Sequence, residues 1–597
     1  MTIAAPLEKS AASNDPGDVL ADWLEALENA LRGGSTEALA RLFLPDATWR
    51  DFLAFEWDHS NRIGREALVE RLAEWSTKWH ASGFVPDEGQ APVVIDGAVN
   101  AFFRFRTDER SNRAFVVLVQ SDEGYAAAVL QTQLDALERF PERSRHHRRD
   151  GKVYEVVPGR TRWADDRAKE SSFTDSEPVV VVIGGGHNGL AQAARLTALG
   201  VPTLVIEKNE RIGDNWRKRY SALALHSPIF ADDQPYIPFP DTWTAHTPKD
   251  KLADWMESYA KLLDLNVWTG TEFLDADYDE DAQRWNLRTR LADGSFRELH
   301  PRHVVITTGL NGPPRIPEVR GLDTFTGEWA HTGEYQHASR WAGKRAIVIG
   351  AGVSAHELAQ DLWEQGADVT MLQRSSTYVI SLEATFKYMY GLYTQDKIWT
   401  KDYTDQVAFS LPNRSPAALA GLQNIVAAAA EHDRELLDGL TANGFKLEWG
   451  PDKTGVIGLH MSGKDGYQFD LGGSRLIAEG KIKVKQGVEL VEVDGETLIF
   501  SDGSRDRADL ILFATGYVQF WDYLKTRFGK AAEKIDRIYV PTDDQGEYPN
   551  AWRRSAQPGL WFGPGFVQSS SFFSKWPAFL IKAIEEGIIP RDPDASA

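Results

Sequence analysis

The chain has 597 residues, of which 42% are hydrophobic and 26% charged, a composition typical of a globular protein with about two to four domains. Its 66 basic and 87 acidic side chains give a formal net charge of −21, which argues against nucleic acid or an anionic membrane as the main partner. It contains no cysteine, which excludes disulfides, thiolate metal sites, iron–sulfur clusters and a cysteine nucleophile.

Targeting signals are not visible in the sequence. No stretch reaches the roughly 18 consecutive apolar residues of a membrane span, and the first residues lack a basic segment followed by an apolar core. We therefore expect a cytoplasmic protein with no membrane partner, no metal site and a disordered N-terminus at residues 1–16.

Residues 17–140 predict a small α+β domain. Apolar residues recur at helical spacing from Leu20 to Leu31, and further helices are indicated near residues 36–43 and 66–75. Strand-like runs then follow at 92–96, 101–107, 114–120 and 125–133. Helices followed by an antiparallel meander are typical of an α+β domain. Residues 141–177 are predicted to be a linker, with one strand at 153–157.

A dinucleotide-binding fingerprint begins at residue 179. The β-branched run Val179–Ile183 predicts a strand buried on both faces, and Gly184, Gly186 and Gly189 follow at GxGxxG spacing. A helix, a second strand and then Glu207 complete the unit, with the acid placed to bind ribose hydroxyls. Asn188 within the loop and Lys208 after the acid are added to this predicted cofactor site.

A second fingerprint lies at 346–355, where a strand precedes Gly350, Gly352, Ser354 and Ala355. Alanine is an accepted replacement for the third glycine. The next strand ends not in an acid but in Arg374, followed by Ser375 and Ser376. An arginine at this position fits a 2′-phosphate and favours NADP, although a surface arginine is the alternative.

Two such units and no cysteine pair predict hydride transfer between NADP(H) and a bound flavin, and exclude the flavin disulfide reductases. Two strands ending in Thr-Gly are expected to return backbone to the dinucleotide sites. Asn215 and Trp216 fall where the chain crosses the flavin, although a core role for the tryptophan is equally compatible with the sequence. The strand-end residues are Thr308, Gly309, Thr515, Gly516 and Tyr517.

The linker between the two units carries Phe325, Gly327, His331 and Tyr335 in the pattern FxGxxxHxxxY. Together with two fingerprints and the FATGY strand end, it resembles the signature of the class B flavin-containing monooxygenases over about residues 178–597. The segments LALHSPIFADDQPYIPFP and TPKDK, with the extra N-terminal domain, look most like the type II members. The order of elements in 17–140 resembles an NTF2/SnoaL-like domain, which we expect to be non-catalytic.

The resemblance implies an α/β fold with two Rossmann-like domains, for FAD and NADP, the second inserted in the first, plus the NTF2-like domain. The residue patterns and the resemblance together predict the domain edges. These are a disordered N-terminus at 1–16, the NTF2-like domain at 17–140, a linker at 141–177, a first FAD-binding part at 178–338, the NADP-binding domain at 339–505 and a second FAD-binding part at 506–597.

The activity implied by the resemblance is a monooxygenation with FAD and NADPH, with NADH as an alternative donor in type II members. One oxygen atom of O₂ would pass, through a C4a-(hydro)peroxyflavin, to a small ketone in a Baeyer–Villiger oxidation, or to an amine or sulfide. His226 stands where classical members place an asparagine, beside Ser227. The implied catalytic residues are therefore His226, His331 and Tyr335, although His226 could equally be a satisfied core residue and His331 a packing residue.

Three alternatives stay open from the sequence. The first is a flavin N-hydroxylase of an amine, and the second is an NADPH oxidase that releases H₂O₂. The third is a flavin-binding interaction protein whose N-terminal domain is the working part. The sequence does not set the substrate or the oligomeric state, for which a homodimer is possible.

Overall fold

The computed structural model describes residues 15–149, 156–393 and 398–592. The N-terminal unit is built from helices and strands that alternate early in the chain. In order they are α1 (Pro16–Gly33), α2 (Thr36–Arg41), β1 (Phe43–Phe52), β2 (His59–Ile63), α3 (Arg65–Lys78), β3 (Ser82–Pro86), β4 (Val93–Ile95), β5 (Ala98–Thr107), β6 (Arg110–Ser121) and β7 (Gly124–Leu137).

Helix α1 forms for local reasons that the sequence contains. The Asp15 carboxylate caps it by accepting the backbone amides of Gly17 and Asp18, and Gly34 ends it with a φ of 65°. The buried residues Leu20, Trp23, Leu24 and Leu27 share one face and pack on the sheet.

The N-terminal sheet has the strand order β2-β1-β7-β6-β5-β3, with β4 also pairing with β5. It is not a simple antiparallel meander as expected, because β1 runs parallel to β7. The sequence pattern gives no sign of this pairing, since β1 and β7 are separated by the whole domain. The assignment to the NTF2-like class stays a prediction.

The region expected to be a linker contains the helix α4 (Trp163–Ser172). The strand expected at 153–157 lies largely outside the described residues, and Val156 and Val157 are not in a strand. The disorder expected at 1–16 also lies outside them, except that Asp15 and Pro16 cap and begin α1.

The first dinucleotide-binding unit follows in two parts, with the second unit between them. The first part comprises β8 (Val180–Ile183), α5 (His187–Ala198), β9 (Thr203–Ile206), α6 (Asp214–Arg217), α7 (Lys249–Leu262), β10 (Val267–Trp268), β11 (Glu272–Asp279), β12 (Arg284–Arg290), β13 (Phe296–Leu299), β14 (His303–Ile306) and β15 (Asn311–Pro314). The second unit comprises β16 (Glu328–His331), β17 (Arg345–Ile349), α8 (Val353–Glu364), β18 (Asp368–Gln373), β19 (Tyr378–Ser381), α9 (Leu382–Ala384), α10 (Lys401–Ala408), α11 (Pro416–His432), α12 (Arg434–Ala442), α13 (Gly455–Met461), β20 (Tyr467–Asp470), α14 (Gly473–Ala478), β21 (Lys483–Gln486), β22 (Leu490–Asp494), β23 (Thr497–Phe500), β24 (Arg505–Arg507) and β25 (Leu510–Phe513). The chain then returns through β26 (Tyr517–Gln519), α15 (Phe520–Leu524), β27 (Leu560–Phe562), α16 (Val567–Phe573) and α17 (Lys575–Glu585).

The first unit is organised on a parallel sheet of order β10-β9-β8-β14-β27. Its central strand β8 is fully buried, as expected for a run of β-branched residues covered on both faces. Because β27 pairs with β14 after the whole second unit has been completed, the second unit is an insertion in the first. The predicted α/β fold with two Rossmann-like domains, one inserted in the other, is confirmed.

The second unit has a parallel sheet of order β16-β25-β17-β18-β21. Two of its strands, the edge strand β16 and its neighbour β25, lie beyond the predicted domain edges, because the sheet begins at Glu328 rather than after 339 and includes Leu510–Phe513, after 505. A strand near a domain boundary belongs to the sheet of the strand with which it pairs, and the sequence does not reveal that pairing. Two chain segments, β15 and β26, cross between the units as an antiparallel pair.

Across the described ranges, no helix combines the length and apolar character that crossing a lipid bilayer requires.

Candidate active site

The carboxyl-terminal edge of the first sheet carries a loop built on close backbone approaches. Gly184 follows β8 with a φ of 106°, and a Cβ there would lie 2.7 Å from the Thr307 carbonyl oxygen. A Cβ on Gly189 would lie 2.0 Å from the Gly184 carbonyl oxygen. Gly186 differs, since the nearest described atom to a Cβ there is the Asn215 amide nitrogen, at 3.8 Å. The outer glycines allow the turn and the helix contact, and Gly186 leaves room for a phosphate at the N-terminus of α5.

The acid predicted to bind ribose lies at the end of β9. Glu207 is buried, and its carboxylate accepts the backbone amides of Gly185 and Asn209, each at 2.8 Å. The Asn209 side chain also donates to it, at 2.7 Å. The carboxylate is thereby fixed beside the glycine loop, where it fits the hydroxyls of a ribose. Lys208, the next residue, is exposed.

A threonine at the end of β14 closes the loop from the opposite side. The Thr307 hydroxyl lies 3.0 Å from the Ile183 carbonyl oxygen and 2.9 Å from that of Gly184, and donates to them. It stands one position before the predicted Thr308, and Gly309 then turns the chain with a φ of 85°. The Thr-Gly element therefore reaches the loop as expected, but Thr307 makes the direct bond.

The end of β27 reaches the same edge. The Gly565 carbonyl accepts the Asn188 side-chain amide and the His187 ring nitrogen Nε2, each at 3.1 Å. The Asn188 Oδ1 atom is buried, and no described residue donates to it. A buried acceptor without a protein donor fits a site that a bound ligand completes.

The second cradle repeats the glycine geometry. Gly350 has a φ of 127°, and a Cβ there would lie 2.3 Å from the Ala514 carbonyl oxygen. Gly352 is open, because the nearest described atom to a Cβ there is 3.8 Å away. Ala355 is buried in the core of the second unit, where it takes the place of the third glycine, and Ser354 is half-buried in the first turn of α8.

The cation predicted for a 2′-phosphate lies at the end of β18. The Arg374 side chain is 76% exposed, and its Nη1 atom is 3.5 Å from the Glu489 carboxylate, a weak surface contact. Ser375 is exposed, and the Ser376 hydroxyl donates to Glu448 at 3.2 Å. Arg374 is therefore available to a phosphate that approaches from solvent.

His331 lies at the junction of the two units. It is fully buried, its Nε2 atom donates to the Gly516 carbonyl at 3.0 Å, and Nδ1 accepts a backbone amide two residues on at 3.1 Å. The Tyr517 ring packs against it at 4.9 Å, and the Thr515 hydroxyl donates to the Arg315 carbonyl. Burial lowers the pKa of His331. Both ring nitrogens are used within the chain, which fits a residue that fixes the angle between the units.

Trp216 lies between the two hydrophobic cores. Its side chain packs against the core of the first unit and that of the second. Its indole nitrogen is buried with no acceptor among the described residues, and the preceding Asn215 is exposed near Gly186. The position suits a ring that covers a ligand between the cradles.

A side-chain contact between the units joins His226 to Glu357. Glu357 lies on α8, directly after the second fingerprint, and its two oxygens hydrogen-bond to His226 Nε2 and to the Tyr220 hydroxyl. Glu357 is buried, whereas 20% of the His226 side chain is exposed. The Phe469 ring lies 5.7 Å from the imidazole. His226 thus meets the second cradle through a carboxyl group that the sequence analysis did not single out.

Burial sets the protonation of this pair. It raises the pKa of Glu357 to about 8 and lowers the pKa of His226 to about 4, because both charged forms lose hydration. At neutral pH the carboxyl group is therefore protonated and donates to the neutral imidazole, while Tyr220 donates to its second oxygen. The pair holds one proton at the boundary between the units.

A second acid lies beside the predicted Ser227. The Ser227 hydroxyl donates to Asp232 at 2.8 Å, and the other Asp232 oxygen is buried with no described donor. Burial raises the pKa of Asp232 to about 7 and that of Asp233 to about 6. Two acids with weakened acidity therefore adjoin the His226 segment.

Tyr335, the last residue of the linker signature, is a core residue of the second unit. It is 5% exposed, its hydroxyl has no described hydrogen-bond partner, and burial raises its pKa. A contact with NADP stays a prediction for this residue.

Comparisons with known proteins decide the family. The family model described as pyridine nucleotide-disulphide oxidoreductase matches residues 181–407. The rice (Oryza sativa subsp. japonica) indole-3-pyruvate monooxygenase YUCCA1 is 34% identical over 396 residues, which cover 66% of this chain and 87% of that protein. The chain belongs to the flavin-containing monooxygenase family. The probable indole-3-pyruvate monooxygenase YUCCA9 of Arabidopsis thaliana, also similar, is 30% identical over 65% of this chain and 84% of its own length.

Solved structures of monooxygenases share the fold. An oxidized steroid monooxygenase bound to NADP has a TM-score of 0.50 at 20% identity, with 69% of this chain and 86% of that chain covered. A cyclohexanone monooxygenase bound to ε-caprolactone has a TM-score of 0.50 at 18% identity, covering 70% and 90%. The protein is a flavin-dependent monooxygenase that uses FAD and NADPH. Its two cradles fit these groups, since Gly186 and Gly352 are open to phosphates, Glu207 faces a ribose position and Arg374 is free for a 2′-phosphate.

The site residues that sequence reasoning missed are Glu357, Tyr220, Thr307 and Asp232. Glu357 follows the second fingerprint by two positions, so its place on the first turns of a phosphate-binding helix was a usable signal. Tyr220 and Asp232 lie in irregular segments, where there is no hydrophobic periodicity from which to predict their positions.

Proposed function

We propose that this flavin-dependent monooxygenase oxidises a small organic carbonyl compound with one atom of O₂, in a Baeyer–Villiger reaction, with NADPH as electron donor and NADH as an alternative. Oxygenation of a soft nitrogen or sulfur atom is the second activity of the same site. The observation that carries the proposal is the His226–Glu357 contact, because it brings an ionisable segment of the flavin unit against the first helix of the NADP unit.

The residues of the chain divide the work of such a site. When bound, FAD and NADPH supply the hydride transfer and the oxygen chemistry. Glu207 and the Gly186 loop would hold the flavin nucleotide, and Arg374 would orient the phosphorylated ribose. Trp216 would exclude water between the cradles.

His226 is the residue proposed to act on a proton. Its neutral imidazole accepts from Glu357 at Nε2, so Nδ1 carries the other proton and is a donor. A donor held in this way can hydrogen-bond the nicotinamide amide or a developing negative charge, the role that an asparagine has in classical members. A purely structural role in joining the units is the alternative.

The carbonyl substrate class is supported by the similar proteins. Two of these proteins are named for their substrates, indole-3-pyruvate and cyclohexanone, which are both carbonyl compounds. A flavin N-hydroxylase of an amine and an NADPH oxidase are the competing proposals, because both need the same two cradles.

The test is product analysis under ¹⁸O₂ with cyclohexanone, an arylpyruvate, an alkyl amine and a thioether. We expect one ¹⁸O atom in a lactone, or in the acid that follows loss of carbon dioxide, for each NADPH consumed. Incorporation into the amine alone would establish the N-hydroxylase. Stoichiometric H₂O₂ with every compound would establish the oxidase.

The matched variants are His226→Asn and His226→Ala. The first supplies an amide N–H donor in place of the imidazole N–H and should retain coupled oxygenation, whereas the alanine variant should release H₂O₂ for most of the NADPH that it consumes. Equal coupling in both variants would leave His226 a structural role only.

A further inference from the structure

Helix α10 lies between the N-terminal domain and the flavin-binding unit. On one side, Tyr403 and Trp399 join a hydrophobic cluster with Phe102 and Phe115 of the N-terminal sheet. The Tyr403 ring meets Phe102 edge-on at 4.6 Å, and its hydroxyl donates to Asp87 at 3.0 Å. The N-terminal domain therefore provides a packed face for this helix.

Arg113 of the N-terminal sheet makes the polar part of this contact. Its side chain is 4% exposed, its Nη2 atom donates to the half-exposed Asp402 at 2.6 Å, and its Nε atom donates to Gln406 at 2.8 Å. The guanidinium also lies 4.5 Å from the centre of the Tyr403 ring. Lys575 of α17 donates to the second Asp402 oxygen at 2.7 Å, so α10 is held from both domains at once.

The end of α10 contacts helix α16 of the flavin-binding unit, where the Phe409 ring stacks on Phe572 at 4.8 Å. Lys401 donates to both oxygens of Asp405, at 2.8 and 2.7 Å. Its positive charge also opposes the rise in the pKa of Asp232 and of Asp233 that burial causes. Lys401 is thus the cation of α10 whose charge acts on these carboxyl groups.

The acids in turn connect to the flavin cradle. Asp232 accepts from Ser227, the neighbour of His226. In the same turn, the Gln234 side chain donates to the Ser570 hydroxyl on α16, at 3.1 Å. Helix α16 begins two residues after Gly565, whose carbonyl accepts a hydrogen bond from the Asn188 side chain. A shift of α10 would therefore move a charge next to the wall of the candidate active site.

We propose that Arg113 is a positioning residue through which the N-terminal domain holds α10, and with it Lys401, against the Asp232 wall of the oxygenation site. The role follows from geometry, because the side-chain partners of Arg113 among the described residues are Asp402, Gln406 and Tyr403, which belong to neither cradle. The N-terminal domain then contributes to coupling, the share of NADPH oxidation that ends in product, rather than to cofactor binding. This inference rests on the proposed function, since coupling is defined for a monooxygenase.

The main test compares Arg113→Ala with the wild-type holoenzyme. Hydrogen exchange in a peptide spanning 398–411 should be at least about ten-fold faster, because a hydrogen bond to a charged group is worth more than a factor of ten. Exchange in the 179–190 peptide and the FAD content should stay the same. The share of NADPH that ends as H₂O₂ should rise several-fold with the carbonyl substrate, while the rate of anaerobic reduction by NADPH stays the same.

Three further variants keep the test decisive if Arg113→Ala folds poorly. Lys575→Ala loosens Asp402 from the other side and should cause the same uncoupling. Arg113→Lys keeps the charge and should recover part of the coupling. Arg139→Ala removes an exposed ion pair with Glu109 in the same domain and should behave as the wild type.

The inference is overturned if the alanine variants at Arg113 and Lys575 leave both the exchange of 398–411 and the coupling unchanged. Failure of the proposed function is distinguishable, because the wild type itself would then incorporate no ¹⁸O, whereas the exchange measurement would still report how α10 is held.

Discussion

The two dinucleotide cradles are alike at their glycines and different at the ends of their second strands. Gly184 and Gly350 both have positive φ values and both lie against a carbonyl of a neighbouring strand end. The first cradle then presents the buried Glu207, held by three hydrogen bonds, and the second presents the exposed Arg374. A buried anion fixed by the protein suits a resident flavin, whereas an exposed cation suits a nucleotide that must enter and leave in each cycle.

The largest expected effect comes from adding a Cβ to one glycine in each cradle, because the two variants should impair different cofactors. Gly189→Ala places a Cβ 2.0 Å from the Gly184 carbonyl oxygen, and Gly350→Ala places one 2.3 Å from that of Ala514. We expect Gly189→Ala to purify with less than about a tenth of the normal FAD, and Gly350→Ala to keep FAD but to be reduced by NADPH about 100-fold more slowly, as a loss of a few kcal/mol implies. Flavin absorbance and anaerobic stopped-flow reduction measure the two effects.

The control for this pair is Gly33→Ala, at a position with no described neighbour within 4 Å of the added Cβ. It should retain FAD and reduction rate. A Gly189→Ala protein with full flavin content would contradict the close backbone approach between Gly189 and Gly184 in the first cradle.

The next effect concerns the charge at the open cradle. Arg374→Ala should raise the KM for NADPH by about ten-fold or more and leave the KM for NADH nearly unchanged, because a charged contact to a 2′-phosphate is lost. Arg374→Lys should fall between, since lysine offers a point charge without the bidentate geometry. Steady-state kinetics with both nucleotides measure this, and Arg507→Ala, which breaks an exposed ion pair in the same unit, is the matched control. Equal changes in KM for NADH and NADPH would mean that Arg374 makes no contact with the 2′-phosphate.

The smallest expected effect is a pH dependence of the unfolding free energy, which tests the contact between His226 and Glu357. Glu357 has a pKa of about 8 in the folded protein against an ordinary 4.5, so it binds more protons when folded, and its contribution to stability is lost as pH rises to 8. His226, at about 4 against 6.5, works in the opposite direction, but only below pH 6.5. Above pH 6.5 the difference in unfolding free energy between wild type and Glu357→Gln should therefore fall by up to about 1.4 kcal/mol per pH unit.

Denaturant unfolding at pH 6.5, 7.25 and 8 measures this difference, and Glu496→Gln, in an exposed ion pair, supplies the control. Asp232 titrates in both proteins and cancels. A difference that does not change with pH would mean that Glu357 is ionised throughout, and the proton assigned to the pair would be withdrawn.

Much of the architecture was readable from the residues. The two glycine fingerprints, the buried run Val179–Ile183 and the absence of cysteine predicted two dinucleotide-binding units, one for a flavin and one for a nicotinamide nucleotide. Local chemistry carries this information, because close backbone approaches require glycine and a doubly covered strand requires β-branched residues. The same reasoning predicted helix α1, whose apolar repeat begins at Leu20, four residues after the helix starts at Pro16.

Tertiary structure decided what lies between the units. It paired β1 with β7 in parallel. It also brought His226 to Glu357, 131 positions away, and Arg113 to Asp402 on α10, 289 positions away. No periodicity or motif links such partners, because their spacing is set by how separately folded units pack. The sequence by itself predicted the two cofactors, because close backbone approaches and strand-end charges are local, whereas packing determined which side chains meet between the units.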